Sequence, residues 1–368
     1  YLILVVILGL LAIADLVVGV SNDAVNFLNS AIGSKVVSFK TLMIIASLGV
    51  AFGAISSSGM MEVARKGIFN PEMFVFSEIM IIFMAVMITD ILLLDVFNSY
   101  GLPTSTTVSI VFELLGAAVV ISLIKLSALD LSFVELGDYI NTSKATQIIF
   151  GIFFSVIVAF SIGALIQFIS RIILSFKFEE KAKWMGSLFG GIALTSIFYF
   201  IVIKGLKGTP YSENQYDILG GLSISNFIDI NLTMIVLLSL LILTILSYLF
   251  NSVFKLNIYT LIICVGTFAL ALAFAGNDLV NFIGVPIAGY ESFLAWSASG
   301  VSAESFTMEI LSEKVSAPTF ILLGAGIIMV LTLWTSSKAK SVIKTSIDLS
   351  RQEETIERFE PNFLSRLL

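Results

Sequence analysis

Residues 22–27 read Asn-Asp-Ala-Val-Asn-Phe and residues 277–282 read Asn-Asp-Leu-Val-Asn-Phe, a match at five of six positions. Each copy directly follows an apolar run. An aspartate between two asparagines offers hard oxygen ligands, which suit a cation such as Na⁺ better than a soft transition metal. A second group with chemistry is Gly101-Leu102-Pro103-Thr104-Ser105-Thr106-Thr107, a helix breaker followed by four consecutive hydroxyl residues. Proline in a first helical turn leaves free backbone N–H groups just after it, and the hydroxyls add donors. A helix N-terminus presenting such donors suits the oxygens of an anion. Ordinary helix caps would explain one Asn-Asp pair. They explain poorly two copies that share the third polar residue, Asn26 and Asn281.

The elements that must position these residues are membrane helices. Of 368 residues, 58% are hydrophobic and only 12% charged, about half the charge of a soluble domain. The mean hydropathy is +1.04 and the net charge is −6, which excludes a soluble globular protein, a disordered chain and a nucleic-acid binder. There is no histidine, so a Ser-His-Asp or Cys-His nucleophile and an HExxH zinc site are excluded. The single cysteine, Cys264, allows no internal disulfide and no cysteine metal cluster.

A spanning helix needs about 20 mostly apolar residues. Candidate spans are 1–20, 40–60, 76–98, 108–126, 146–170, 186–204, 230–252, 258–275 and 316–335. Polar connectors fall at 127–144, 171–184, 205–229 and 290–314, with a charged tail from 336. The fold class is therefore an all-α polytopic membrane protein. The apolar cores hold no Lys or Arg but do hold Asp15, Glu78, Asp90, Asp95 and Glu113. An acid at membrane depth marks a pathway, a relay or a partner. Glu78, close to a span end, is expected at the interface.

Asn and Asp compete for backbone hydrogen bonds, so both motifs are expected to unwind their helices. Unwound backbone is tolerated at that depth only where it is buried in protein or lines a cavity. Matched interruptions in two halves point to a transporter's binding site. Segments 76–98 and 108–126 read as a re-entrant-type hairpin with its tip at 101–107. Five net crossings then separate the two motifs, which inverts the second relative to the first. Counted as far as Arg351, basic residues number eleven on one side and seven on the other, favouring an external N-terminus, with Arg65-Lys66 the awkward pair.

An anion enters a cavity holding Asp23 and Asp278 only with compensation, because like charges repel strongly at low dielectric. With no basic residue in the apolar cores of the spans, the compensating charge must be a cation or a proton. Phosphate near neutral pH carries a proton that a carboxylate can accept in a hydrogen bond, whereas sulfate does not, so the acids favour phosphate.

Together these features resemble the inorganic phosphate transporter (PiT) family. The resemblance rests on a Gly-Ala-Asn-Asp-Val-Ala-Asn-type motif in each half, matched at 20–26 and 275–281, and on the Gly-Leu-Pro-x-Ser-Thr-Thr tip at 101–107. It implies an inverted-repeat secondary transporter, not an enzyme, that takes up inorganic phosphate with Na⁺ (H⁺ as the alternative) by alternating access. It assigns Ser105, Thr106, Thr107, Asn26 and Asn281 to phosphate, and Asn22, Asp23, Asn277 and Asp278 to Na⁺, with no other cofactor. The organisation expected is a first repeat at 1–126, connecting helices at 127–257, the start of a second inverted repeat at 258–335, and a cytoplasmic tail at 336–368.

Two departures stand out. Many relatives carry His after the Ser-Thr-Thr, where this chain has Val108. The chain also has no second Ser-Thr-Thr, so the second hairpin is expected in a missing C-terminal part of the same protein. Beyond that part, the expected partners are phosphate, Na⁺, the lipid bilayer of a plasma or inner membrane, and another copy in a homo-oligomer. The rival readings are a sulfate permease of the same architecture, a channel, and an intramembrane aspartyl protease. The protease echo, Tyr216-Asp217 with Gly137-Asp138, falls in polar connectors rather than spans.

Overall fold

The computed structural model describes residues 1–57, 68–174, 182–206, 209–312 and 317–349. In chain order the helices are α1 Leu2–Ser34, α2 Phe39–Ser56, α3 Phe76–Tyr100, α4 Thr106–Ala128, the short α5 Leu136–Tyr139, α6 Thr142–Leu174, α7 Ser187–Phe200, the short α8 Pro210–Glu213, α9 Ile224–Ser252, α10 Ile258–Asn277, α11 Leu279–Ser299, α12 Thr319–Thr335 and α13 Ser337–Leu349. Eight helical stretches among the described residues are long and apolar enough to cross a membrane. Arg65, Lys66 and several other basic residues that enter the charge asymmetry lie outside the described residues.

The α3–α4 hairpin forms as its sequence requires. Gly101 ends α3 in the left-handed region (φ 68°), its N–H donating to Asn98 O at 3.0 Å while Leu102 N–H reaches Phe97 O at 2.9 Å. Glycine adopts that conformation without a Cβ penalty. Pro103 prevents continuation, and Ser105 starts α4 by accepting Val108 N–H at 3.3 Å. At the base, Lys125 of α4 pairs with Glu78 of α3 at 3.0 Å, and Glu78 also accepts Val75 N–H at 2.9 Å. Glu78 is thus a helix-start carboxylate at the hairpin's open end.

Packing joins the two halves reciprocally, α2 lying on α10 and α12 lying on α1 and α2. Gly49 and Gly53 allow the α2–α10 approach: a Cβ on Gly49 would stand 2.6 Å from Phe268 O, and one on Gly53 would strike Leu272 O. Such small-residue spacing drives close helix contact where lipid removes the hydrophobic incentive. Helix α1 belongs to both apolar cores. Leu8 packs with the α3–α4 hairpin, while Leu16, Val20 and Ala24 pack with α2, α10, α12 and α13. By contrast, α6 buries only Ala145, so its apolar sides suit hydrocarbon rather than protein.

Three expectations change. Helix α1 runs unbroken through Asn22–Asn26, whereas the second motif interrupts its helix at Asp278, between α10 and α11. The reason is that Asn22 and Asp23 find partners on the hairpin and do not compete for α1's own backbone. In the second copy, Ser57 Oγ donates to Gly276 O at 3.1 Å, the carbonyl that would otherwise serve the fourth residue on. Next, the connector expected at 290–314 begins inside α11, which extends to Ser299. Its following loop pairs with the lead into α3, Phe306 O and Ala303 O accepting Phe76 and Ser77 N–H at 2.9 and 3.1 Å. Finally, residues 337–349 of the tail form helix α13, bent 66° from α12 and buried along α1 through Ala339, Val342 and Ile343.

Candidate functional site

The site forms where the hairpin tip meets both Asn-Asp motifs. Asn22 is fully buried on α1, and its amide is a three-way latch. Its Nδ2 donates to Asn98 Oδ1 at 2.8 Å and to Leu102 O at 3.1 Å, and its Oδ1 accepts Thr104 N–H at 2.8 Å. Asn98 in turn donates to Val18 O at 2.7 Å. The tip is therefore held to α1 by buried amides, each of which would be costly to leave unpaired.

One turn of α4 then reaches both acids. Thr106, buried, donates its hydroxyl to Asp23 Oδ2 at 2.8 Å, and Asn26 donates to Asp23 Oδ1 at 3.3 Å. Thr107, the next residue, donates to Asp278 Oδ1 at 3.4 Å. Asn281 bridges that pair, donating to Thr107 Oγ1 at 2.8 Å and to Asp278 Oδ1 at 3.2 Å. The tip, Asp23 and Asp278 thus converge, though the two acids are far apart in the chain.

Ser105 and Asn277 are exposed at the edge of this group. Ser105 uses its oxygen as the α4 cap, which leaves its hydrogen free to donate. With Thr104, Ser109 and Glu113 it lines a cavity of about 870 Å³ between α3 and α4. The α4 helix starts at Thr106, so the N–H groups of Thr106 and Thr107 have no acceptor within the helix. Those dipoles point positive charge toward a site whose side-chain charges are negative.

Among the described residues, no basic side chain pairs with Asp23 or Asp278. The ion pairs recorded among the described residues, Lys125–Glu78 and Lys338–Asp95, lie elsewhere. The group thus combines neutral donors with two carboxylates, an arrangement that accommodates an anion together with cations but repels an anion alone. Sequence reasoning missed Asn98, whose only mark is an amide one turn before Gly-Leu-Pro. It also missed Lys338, which answers Asp95 from what reads as tail.

This is a multi-pass helical membrane protein whose polar residues gather at one hairpin tip and two repeated motifs, the build of a transporter rather than an enzyme. Residues 19–346 match the model of the phosphate transporter family, and the chain belongs to that family. It is 26% identical over 320 residues to a Thermococcus kodakarensis protein named "Putative phosphate permease TK2061", covering 83% of this chain and 68% of that one. The fold is similar to a solved structure described as the sodium-dependent phosphate transporter, with a TM-score of 0.60 and 17% identity, over 94% of this chain and 78% of that one.

Proposed function

We propose that this phosphate transporter couples inorganic phosphate to Na⁺ by alternating access, at the site where Thr106 and Thr107 meet Asp23 and Asp278. The observation that carries the reading is that two adjacent hydroxyls on one helix turn touch both acids. Na⁺ entering at Asp23 and Asp278, with oxygens from Asn22 and Asn277, neutralises the carboxylates and releases the threonine hydroxyls. Those hydroxyls, Ser105, the first-turn N–H groups of α4, and the amides of Asn26 and Asn281 then face phosphate oxygens. In the state described here Asn22 is taken up by the hairpin, so its contribution at that stage is to hold the tip beside Asp23. Na⁺ binding first and phosphate second follows from the charges, since the empty site is anionic. The sodium dependence in the description of the structurally similar protein is in line with this reading.

Alternating access would carry the loaded site from one face of the membrane to the other, with the two halves inverted about it. The charge asymmetry of the loops supports an external N-terminus, and on this reading the protein sits in a plasma or inner membrane. The test is uptake of labelled phosphate by the full-length protein in proteoliposomes, with Na⁺ replaced by choline at fixed pH. Excess unlabelled sulfate in the same assay separates a phosphate carrier, which it leaves running, from a sulfate permease, which it blocks.

A further inference from the structure

Three carboxyls in the spans stand apart from the Asn-Asp site. Asp15 of α1 and Asp90 of α3 are buried, with 0% and 1% of their surface exposed. Glu113 lies across from them on α4 and borders the cavity that reaches Ser105. Ser109 Oγ sits 2.6 Å from Asp90 Oδ1 and 2.8 Å from Glu113 Oε1. Asp15 and Asp90 stand as neighbouring carboxyls that act on one another. No hydroxyl, amide or backbone N–H donates to either Asp15 oxygen, and Glu113 Oε2 is also buried without a partner.

The hydrogens can be counted. Ser109 Oγ makes two oxygen–oxygen contacts that each need a hydrogen, its own hydroxyl brings one, and ionised carboxylates bring none. One hydrogen must therefore reside on Asp90 or Glu113, and Asp15, fully buried beside Asp90 with no donor to either oxygen, calls for a second. A caged metal ion does not fit instead: among the described residues no three acidic, Cys or His side chains converge as metal ligands. The carboxyls are strung in a row, Asp15 to Asp90 to Ser109 to Glu113. Of the basic residues on the packed elements, Lys338 of α13 is paired with Asp95 and Lys125 of α4 with Glu78, while Lys340 and Lys344 of α13 are exposed. From outside the trio, the charge that acts on Asp15 is one more carboxylate, Asp23.

We propose that Asp15, Asp90 and Glu113, linked through Ser109, form a proton-binding site distinct from the Asp23–Asp278 site. It holds two protons in the state described and exchanges them with water through the cavity beside Glu113. Ser109 and Glu113 lie on the same helix as Thr106 and Thr107, so losing these protons places fresh negative charge on the element that carries the phosphate donors. Transport is then sensitive to protons as well as to Na⁺. That last consequence rests on the phosphate-transport reading, whereas the protonation itself does not.

Infrared spectroscopy of the full-length protein in lipid at neutral pH reads protonated carboxyls directly, without any transport. The expected result is a protonated-carboxyl band that shifts in D₂O, disappears on alkalinisation, and weakens in both Asp15→Asn and Glu113→Gln. Either variant alone suffices if the other does not fold. A wild-type spectrum with no such band overturns the proposal, as does a band that Na⁺ abolishes at fixed pH, which would make this a sodium site. In saturating Na⁺, wild-type phosphate uptake should fall at alkaline pH, and Asp15→Asn should flatten that profile. Superimposable profiles would refute the link to transport. If the wild type moves no phosphate, the transport reading fails while the infrared result still decides the protonation.

Discussion

Asn281 donates its side-chain N–H to Thr107 at 2.8 Å, a hydrogen bond spanning 174 residues of chain. It ties the second Asn-Asp motif to the tip of the hairpin that follows the first. Thr106, one residue earlier, serves the first motif through Asp23. A single turn of α4 thereby touches both acids, and on the proposed mechanism charge placed on either carboxylate changes the donors offered to an anion.

Removing either acid should disable coupling. Asp23→Asn and Asp278→Asn each keep the side-chain volume but lose the charge proposed to draw Na⁺. The cost of losing a charged hydrogen-bond partner is about 2 kcal/mol, or roughly 30-fold in affinity. Na⁺ titration of phosphate uptake in proteoliposomes checks this. Wild-type Na⁺ affinity in both variants would remove these residues from the cation site.

Hydroxyl deletion should act on phosphate rather than on folding. Thr106→Val and Thr107→Val keep the shape of the side chain, and each is expected to weaken phosphate about tenfold, one lost hydrogen bond's worth. Ser105→Ala differs because Ser105 also caps α4, so about 1 kcal/mol of stability should be lost with the affinity. Uptake kinetics and thermal unfolding in detergent, measured on the same preparations, separate the two effects.

The latch should be structural. Asn22→Ala strips three hydrogen bonds from the hairpin tip, and at about 1 kcal/mol each the loss is roughly 3 kcal/mol. Thermal unfolding should show a clear drop, and the Thr104 amide should lose protection from hydrogen exchange. An unchanged unfolding temperature would mean the tip is held by other contacts.

Close approach of α2 and α10 is the fourth requirement. Gly49→Ala places a Cβ 2.6 Å from Phe268 O, so the helices must part, at a cost of about 1–3 kcal/mol. Gly324→Ala, on α12 with open space around the new Cβ, serves as the control and should leave stability nearly unchanged. Thermal unfolding of both variants tests this pair.

Much of this was legible in the sequence because it is local. The apolar runs, the Gly-Leu-Pro turn and the paired motifs each depend on neighbours within a few residues. The uninterrupted α1 was not legible, since what spares its backbone is the partnership of Asn22 with Asn98 and Thr104, far along the chain. Helix α11 hid behind Pro286, which sits inside it, and behind the polar Tyr290-Glu291-Ser292 that follows. Helix α13 hid for the opposite reason: too polar to read as a span, it still places Ala339, Val342 and Ile343 on one buried face. That three-and-four spacing marks an amphipathic helix. Of the site, the acids and hydroxyls could be named in advance. Their meeting on one turn of α4 could not, because only folding brings residue 107 to residue 278.

The central claim is that Na⁺ must occupy the acids before phosphate can use the donors. The direct measurement is equilibrium binding of labelled phosphate to the purified full-length protein, in Na⁺ and in choline at the same pH and ionic strength. Saturable phosphate binding in Na⁺ that is lost in choline, and lost in Na⁺ when Asp23 and Asp278 are both replaced by Asn, is the result predicted here. Equal phosphate binding with and without Na⁺ in the wild-type protein would contradict it.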